Sequence, residues 1–152
     1  MRKHRLYAGV IVVLLQCCGV RGFAQEIAVA GQLAATAMSL SADSGDVRPA
    51  KWTYEQGVVW LAMMRLWYST GDDARYYNYV KRQVDRLVDK DGNIATYNRE
   101  DFSLDNILGG RVLLELYEVT LDARYYKAAL RLREQLRDQP RTAEGKIGRA
   151  HV

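Results

Sequence analysis

At 152 residues and a formal net charge of +4, the chain has the length of one ordinary domain. The basic surplus is an end effect: four of the 22 Lys and Arg lie in the first 24 residues and two in the last seven, which leaves 16 basic against 18 acidic residues, a net of −2. That balance removes any electrostatic case for a nucleic-acid partner, and the absence of Cys and His from Gln25 to Gly145 excludes disulfides, thiolate nucleophiles, Ser-His triads and His- or Cys-ligated metals from that interval.

The N-terminus, MRKHRLYAGVIVVLLQCCGVRGFAQE, has the three parts of an export leader. Arg2, Lys3 and Arg5 are its basic start. Leu6 to Leu15 is an apolar core too short for a stable membrane anchor. Gly22 and Ala24 put small residues at −3 and −1, so residues 1–24 are expected to be removed and the mature chain to begin at Gln25, in the periplasm or outside a bacterial cell. A lipoprotein cut before Cys17 or Cys18 would need Gln16 or Cys17 at −1, a poorer fit.

Five helices are expected after the leader: Glu26 to Leu40, Thr53 to Ser69, Ala74 to Val88, Leu104 to Val119 and Ala123 to Asp138. Pro49, the Asp89-Lys-Asp-Gly92 turn and Pro140 punctuate them. The stretch Tyr68–Tyr77 repeats as Tyr117–Tyr126 at an offset of 49, and Leu87 and Asp89 map by the same offset onto Leu136 and Asp138. Each copy ends one helix and begins the next, with a period longer than that of a tetratricopeptide repeat.

The helices fall into two kinds. The third is amphipathic, with Tyr76, Tyr77, Val80, Val84, Leu87 and Val88 inward and Lys81, Arg82, Asp85 and Arg86 outward. The fifth places Leu132 and Leu136 inward, and Lys127, Arg131, Glu134 and Arg137 outward. The second and fourth are apolar nearly all round, which predicts packing on most sides. Alternating inner and outer helices at a constant period describes an α/α toroid, with an α-solenoid as the alternative. Short links make neighbours antiparallel, so the second and fourth helices begin at the same end. The longer loops, Ser41–Trp52 and Asp89–Phe102, arrive there too, and make that end the expected binding face.

Trp52, Tyr54 and Asp105 sit at that end. Asp105, following Ser103, can be read as a helix-end charge worth about 0.3–1 kcal/mol. Trp52 and Tyr54 can be read as a seal over the core. The recurring pairs Tyr76-Tyr77 and Tyr125-Tyr126 read as packing. Gly109-Gly110 costs a helix roughly 1 kcal/mol per Gly, which predicts a close helix approach or a kink. Lys146 to Val152, KIGRAHV, reads as a translated sequencing adapter, so residues 146–152 are expected to be non-native and the natural chain to diverge after Gly145.

Three segments in order, Trp52-Thr-Tyr54-Glu-Gln-Gly57, Leu104-Asp105-Asn-Ile-Leu-Gly-Gly-Arg111, and Arg133-Glu-Gln-Leu136 with Pro140-Arg-Thr-Ala-Glu-Gly145, resemble the unsaturated rhamnogalacturonyl hydrolases of glycoside hydrolase family 105, related to family 88. The resemblance implies an all-α fold of six helical hairpins, an (α/α)6 barrel, of which residues 25–145 supply the first part. It implies a substrate, a pectin-derived oligosaccharide ending in a C4=C5 unsaturated uronic acid, and a reaction that needs no cofactor or metal. The double bond is protonated at C4, water adds at C5, and the hemiketal opens and expels the remaining sugar.

By the same resemblance Asp105 hydrogen-bonds the sugar and assists proton transfer, Tyr54 contacts the sugar ring and Trp52 lines the pocket. The family continues after Glu144-Gly145 with a Gly-Phe-Trp-His segment and, farther on, its principal catalytic Asp. Neither is present here, so this polypeptide alone is expected to be inactive. Two other readings stand beside it: an unsaturated glucuronyl hydrolase acting on glycosaminoglycan fragments, and a secreted α-solenoid interaction module.

Overall fold

The structure, a computed structural model, describes residues 25–40, 51–71 and 73–147. The leader with its cleavage site and Cys17-Cys18, most of the Ser41–Trp52 loop, and the end of the tail lie outside the described residues. The chain divides into two compact units, Met1–Asp43 and Ser44–Val152. The first contains helix α1, residues 25–40. It is rich in Ala, the strongest helix former, with Glu26 as its single charged residue. Its Thr36 hydroxyl turns back onto the carbonyl of Gln32, 3.0 Å away. Among the described residues no helix is long and apolar enough to cross a membrane.

The second unit is built of helical hairpins. Helix α2 spans Tyr54–Ser69, with Thr53 accepting the N–H of Gln56 as its N-cap and Glu55 in its first turn. At its end the Thr70 N–H and hydroxyl both reach the Leu66 carbonyl, at 2.9 and 2.7 Å. Helix α3 spans Ala74–Asp85 and α5 spans Ala123–Asp138. The repeat is legible at their starts. Asp73 accepts the N–H of Arg75 at 3.1 Å, and its counterpart Asp122 accepts that of Arg124 at 3.0 Å. An aromatic contact also closes each turn, Tyr77 lying 5.0 Å from Trp67 and Tyr126 lying 5.2 Å from Tyr117, although the counterpart of Trp67 is Leu116 and that of Tyr117 is Tyr68. The all-α fold of stacked hairpins is therefore as the sequence predicts.

Helix α4, Gly110–Thr120, packs on both α5 and α2, and α2 packs on α3. Trp60, Met63 and Met64 of α2 meet Val112, Leu113 and Leu116 of α4 in the core, which Val80, Val84, Tyr125, Ala128 and Leu132 of the outer helices complete. The expectation that α2 and α4 are packed on most sides holds only in part. Val58, Leu114 and Val119 are exposed, because within the second unit each inner helix meets its hairpin partner on one side and the other inner helix on the next.

Three further expectations are corrected. The third helix stops at Asp85 rather than Val88, because Asp89 Oδ1 takes the N–H groups of both Asp91 and Asn93 at 2.9 Å and closes a turn. Val88 then pairs with Ile94 in an isolated bridge. Gly92 seats this turn on α5: its φ is +76°, and a Cβ there would lie 2.5 Å from Lys127 Cβ. The fourth helix does not begin at Leu104. Leu104–Ile107 is a 3-10 turn and the α-helix starts at Gly110. On α5, Leu136 is exposed and Gln135 takes the inward position.

Lys81 and Asp85 do not belong to a solvated face. Asp85 accepts from Lys81 Nζ and from Arg124, each at 2.6 Å, and from the Tyr125 hydroxyl. Arg124 Nε lies 2.9 Å from Asp122 Oδ2, near enough for an ion pair but not aligned as a hydrogen bond. The cluster joins α3 to α5. Burial first, and the hydrogen bond to Asp85 second, push the Tyr125 phenol from its ordinary 10.0 up to about 12. A raised pKa means that the folded state favours the neutral phenol. Its contribution is complete below the unfolded value of about 10 and is lost as pH rises through the folded one. The urea midpoint of the chain is expected to fall between pH 10 and about 12, with a shallower fall in Tyr125→Phe. Equal slopes for the two proteins would contradict this.

Candidate active site

Trp52 organises the end at which α2 and α4 begin. Its backbone N–H donates to Thr96 Oγ1 at 2.8 Å, and its indole N–H donates to the carbonyl of Asn106 at 2.8 Å. The ring is 3% exposed and sits 5.4 Å from Trp60, tilted at 55°. The second hydrogen bond explains the 3-10 turn. In an unbroken α-helix the Asn106 carbonyl would accept from Gly110. Here the indole occupies it, and two glycines follow where helix propensity is lowest.

Gly109 makes the junction possible. A Cβ there would lie 2.4 Å from Trp52 Cζ2, and one on Gly57 would lie 3.2 Å from the Gly109 nitrogen. The first turn of α2 thus meets the start of α4 backbone to backbone, the close approach expected of the glycine pair. Gly109 has φ −60°, so space and not backbone freedom requires it. The N-termini of the two inner helices share one end, and the Asp89–Phe102 loop reaches the same place through Thr96.

The sequence-predicted residues take different positions there. Tyr54 is the first residue of α2, two after Trp52, and is 49% exposed. Asp105 lies in the 3-10 turn, next to Asn106, and is exposed. Among the described residues neither side chain has a hydrogen-bond or ion-pair partner in the protein. Ser103 makes no side-chain cap and the turn holds four residues, so a macrodipole role for Asp105 loses its helix. Trp52, expected to line the pocket, is buried, with its ring covered and both N–H groups engaged.

Sequence reasoning missed Thr96, Asn106, Gln135 and Gln139. Thr96 has φ +64°, a left-handed conformation uncommon outside Gly, and no local pattern signals it. The glutamines were detectable, since they fall at helical spacing from Leu132 on the inward stripe of α5. Among the described residues no group of three or more His, Cys, Asp or Glu side chains gathers as metal ligands would.

The family description Glycosyl Hydrolase Family 88 matches residues 32–152, and the chain belongs to that family. It is also similar to a solved glycoside hydrolase of family 105 from C. acetobutylicum ATCC 824, with 29% identity and a TM-score of 0.62. The match covers 71% of this chain and 29% of that one, so the chain spans well under half the length of the structure it resembles.

The junction makes a stability prediction. Gly109→Ala drives a methyl into a buried ring and is expected to destabilise the chain by about 1–3 kcal/mol. Gly110→Ala meets only the end of Leu132, at 3.1 Å from Cδ1, and is expected to stay within about 0.5 kcal/mol of wild type. Chemical denaturation of the two variants checks the contrast. Equal losses would place the constraint elsewhere.

Proposed function

We propose that the protein is an unsaturated glycuronyl hydrolase acting on rhamnogalacturonan-derived oligosaccharides in pectin breakdown. The observation that carries this reading is the placement of Tyr54 and Asp105 on either side of the Trp52 junction, both exposed and without side-chain partners among the described residues, in a chain of family 88. A carboxylate not committed to an ion pair is available to a sugar hydroxyl, and a phenol on a helix start offers an apolar ring with a polar tip to a pyranose.

In this reading Asp105 orients the unsaturated uronic acid and assists the proton that reaches C4. Water adds at C5, the hemiketal opens, and the remaining sugar leaves. Tyr54 holds the ring, and Trp52 acts from beneath by fixing the two segments that carry Tyr54 and Asp105. Positioning and proton transfer of this kind each contribute severalfold powers of ten to a rate.

The complete gene product is expected to remove the ultraviolet absorbance of the unsaturated uronate in lyase-generated rhamnogalacturonan oligosaccharides. Asp105→Asn is expected to lower kcat by about 10²-fold or more while leaving the circular dichroism spectrum unchanged. Wild-type turnover in that variant would remove Asp105 from the reaction. Consumption of chondroitin-derived unsaturated disaccharides instead would give the substrate to the glycosaminoglycan reading.

Export completes the proposal. Arg2, Lys3 and Arg5, the short apolar core and Ala24 support a leader removed before Gln25, which places the enzyme in the periplasm or outside the cell. Intact-mass measurement of the exported protein is expected to show Gln25 at the N-terminus. A lipid-modified Cys17 or Cys18 there would contradict it.

A further inference from the structure

Helix α5 is amphipathic, yet Gln135 on its inward stripe and Gln139, its C-cap, carry amides. Gln135 is fully buried and Gln139 nearly so. Burying a side-chain amide is unfavourable unless its hydrogen bonds are made, and here they are made to one short stretch of chain. The Tyr97 hydroxyl donates to Gln135 Oε1 at 2.9 Å. Gln135 Nε2 donates to the Ser103 carbonyl at 3.1 Å and to Gln139 Oε1 at 3.3 Å. Gln139 Nε2 donates to the Phe102 carbonyl at 2.9 Å.

A neutral amide suits these positions. Each must donate and accept at once; a carboxylate has no proton to give to a carbonyl, and an ammonium has no lone pair for the phenol or for its neighbour. The stretch so held is also strained and strapped. Phe102 has φ +47°, a conformation that persists only where its surroundings enforce it. Arg99 pairs with Asp138 and, at 3.5 Å, with Glu134, both on α5. Asn98 closes the Arg99–Asp101 turn by accepting from the Glu100 N–H at 3.2 Å and donating to Asp101 at 2.7 Å.

What this network controls follows from chain position. Phe102 and Ser103 are the third and second residues before Asp105. On the other side, Asn106, the next residue after Asp105, is held through its carbonyl by Trp52. Asp105 is thus an exposed carboxylate on a backbone pinned immediately upstream and downstream by buried groups. We propose that Gln135 and Gln139 are positioning residues that set the placement of Asp105 through the Phe102 and Ser103 carbonyls. The proposal rests on the reading of Asp105 as a substrate-contacting residue, and part of its test does not.

The first arm uses the 152-residue chain and amide hydrogen exchange. Gln135→Met and Gln139→Met keep length and bulk but remove the donors. Each is expected to speed exchange about tenfold or more at the Asp101 and Phe102 amides, which donate to the Asn98 and Arg99 carbonyls just upstream of Asp105 at 3.4 and 3.1 Å, with α2 and α3 core amides changed less than twofold. Tyr97→Phe, which deletes one hydroxyl at the edge of the network, should shift the same amides in the same direction by less. It keeps the test alive if a Met variant fails to fold. Unchanged exchange at Phe102, or a uniform rise across the whole unit, would overturn the proposal whatever the substrate.

The second arm uses the complete hydrolase and unsaturated rhamnogalacturonan oligosaccharides. Gln139→Met is expected to lower kcat about tenfold in the wild-type background and less than twofold in Asp105→Asn. A residue that acts through Asp105 has nothing left to position once that carboxylate is gone. A merely structural role predicts the same loss in both backgrounds, and that result would overturn the proposal. A wild-type protein that ignores unsaturated uronides altogether would sink the functional reading, and the exchange arm would then decide the positioning alone.

Discussion

The packing of the Trp52 ring on Gly109 is the contact on which the rest of this end of the molecule depends. It forces the Asn106 carbonyl out of the α-helical pattern, brings the first turn of α2 against the start of α4, and draws the Asp89–Phe102 loop in through Thr96. A large ring can come so near a backbone only where a residue has no Cβ, so one glycine and one tryptophan determine each other. Tyr54 and Asp105 face the solvent from a base that is itself buried and hydrogen-bonded. That is the arrangement expected of polar groups whose geometry must be kept without their being packed.

The repeat explains the scaffold, and departures from it explain the site. Asp73 and Asp122 cap equivalent helices, and an aromatic contact closes each of the two equivalent turns. Gln135, by contrast, has Arg86 as its counterpart one period earlier, and the buried amide network exists in one copy among the described residues. The Asp85 cluster is also asymmetric, since it ties the end of α3 to the start of α5. The repeated hairpin gives regular packing, and the positions that differ between its copies make the polar contacts that hold particular loops.

Much of the fold was legible in the sequence because its determinants are local. Thr53, Asp73 and Asp122 announce helix starts within four residues of themselves, and periodicity separates outer helices from inner ones. The errors occur where the deciding partner is distant. No window around Asn106 contains the indole that takes its carbonyl from 54 residues away. Spacing from Leu132 marks Gln135 as inward, but no window around it contains Tyr97, the partner 38 residues earlier that satisfies its amide. Lys81 and Asp85 look like a solvated i,i+4 pair until Arg124 and Tyr125 close over them. Within the candidate site, Tyr54 and Asp105 came from motif resemblance, whereas the supporting role of Trp52 required the fold.

The geometry of the junction is open to direct observation in solution. Proton NMR of the isotope-labelled chain should give nuclear Overhauser contacts from the six-membered ring of Trp52 to the Gly109 α-protons. The Trp52 indole N–H should exchange as slowly as the core amides of α2, because it is buried against the Asn106 carbonyl. A Trp52 indole that exchanges freely and shows no contact to Gly109 would contradict the junction, and with it the placement of Tyr54 and Asp105 at one shared end.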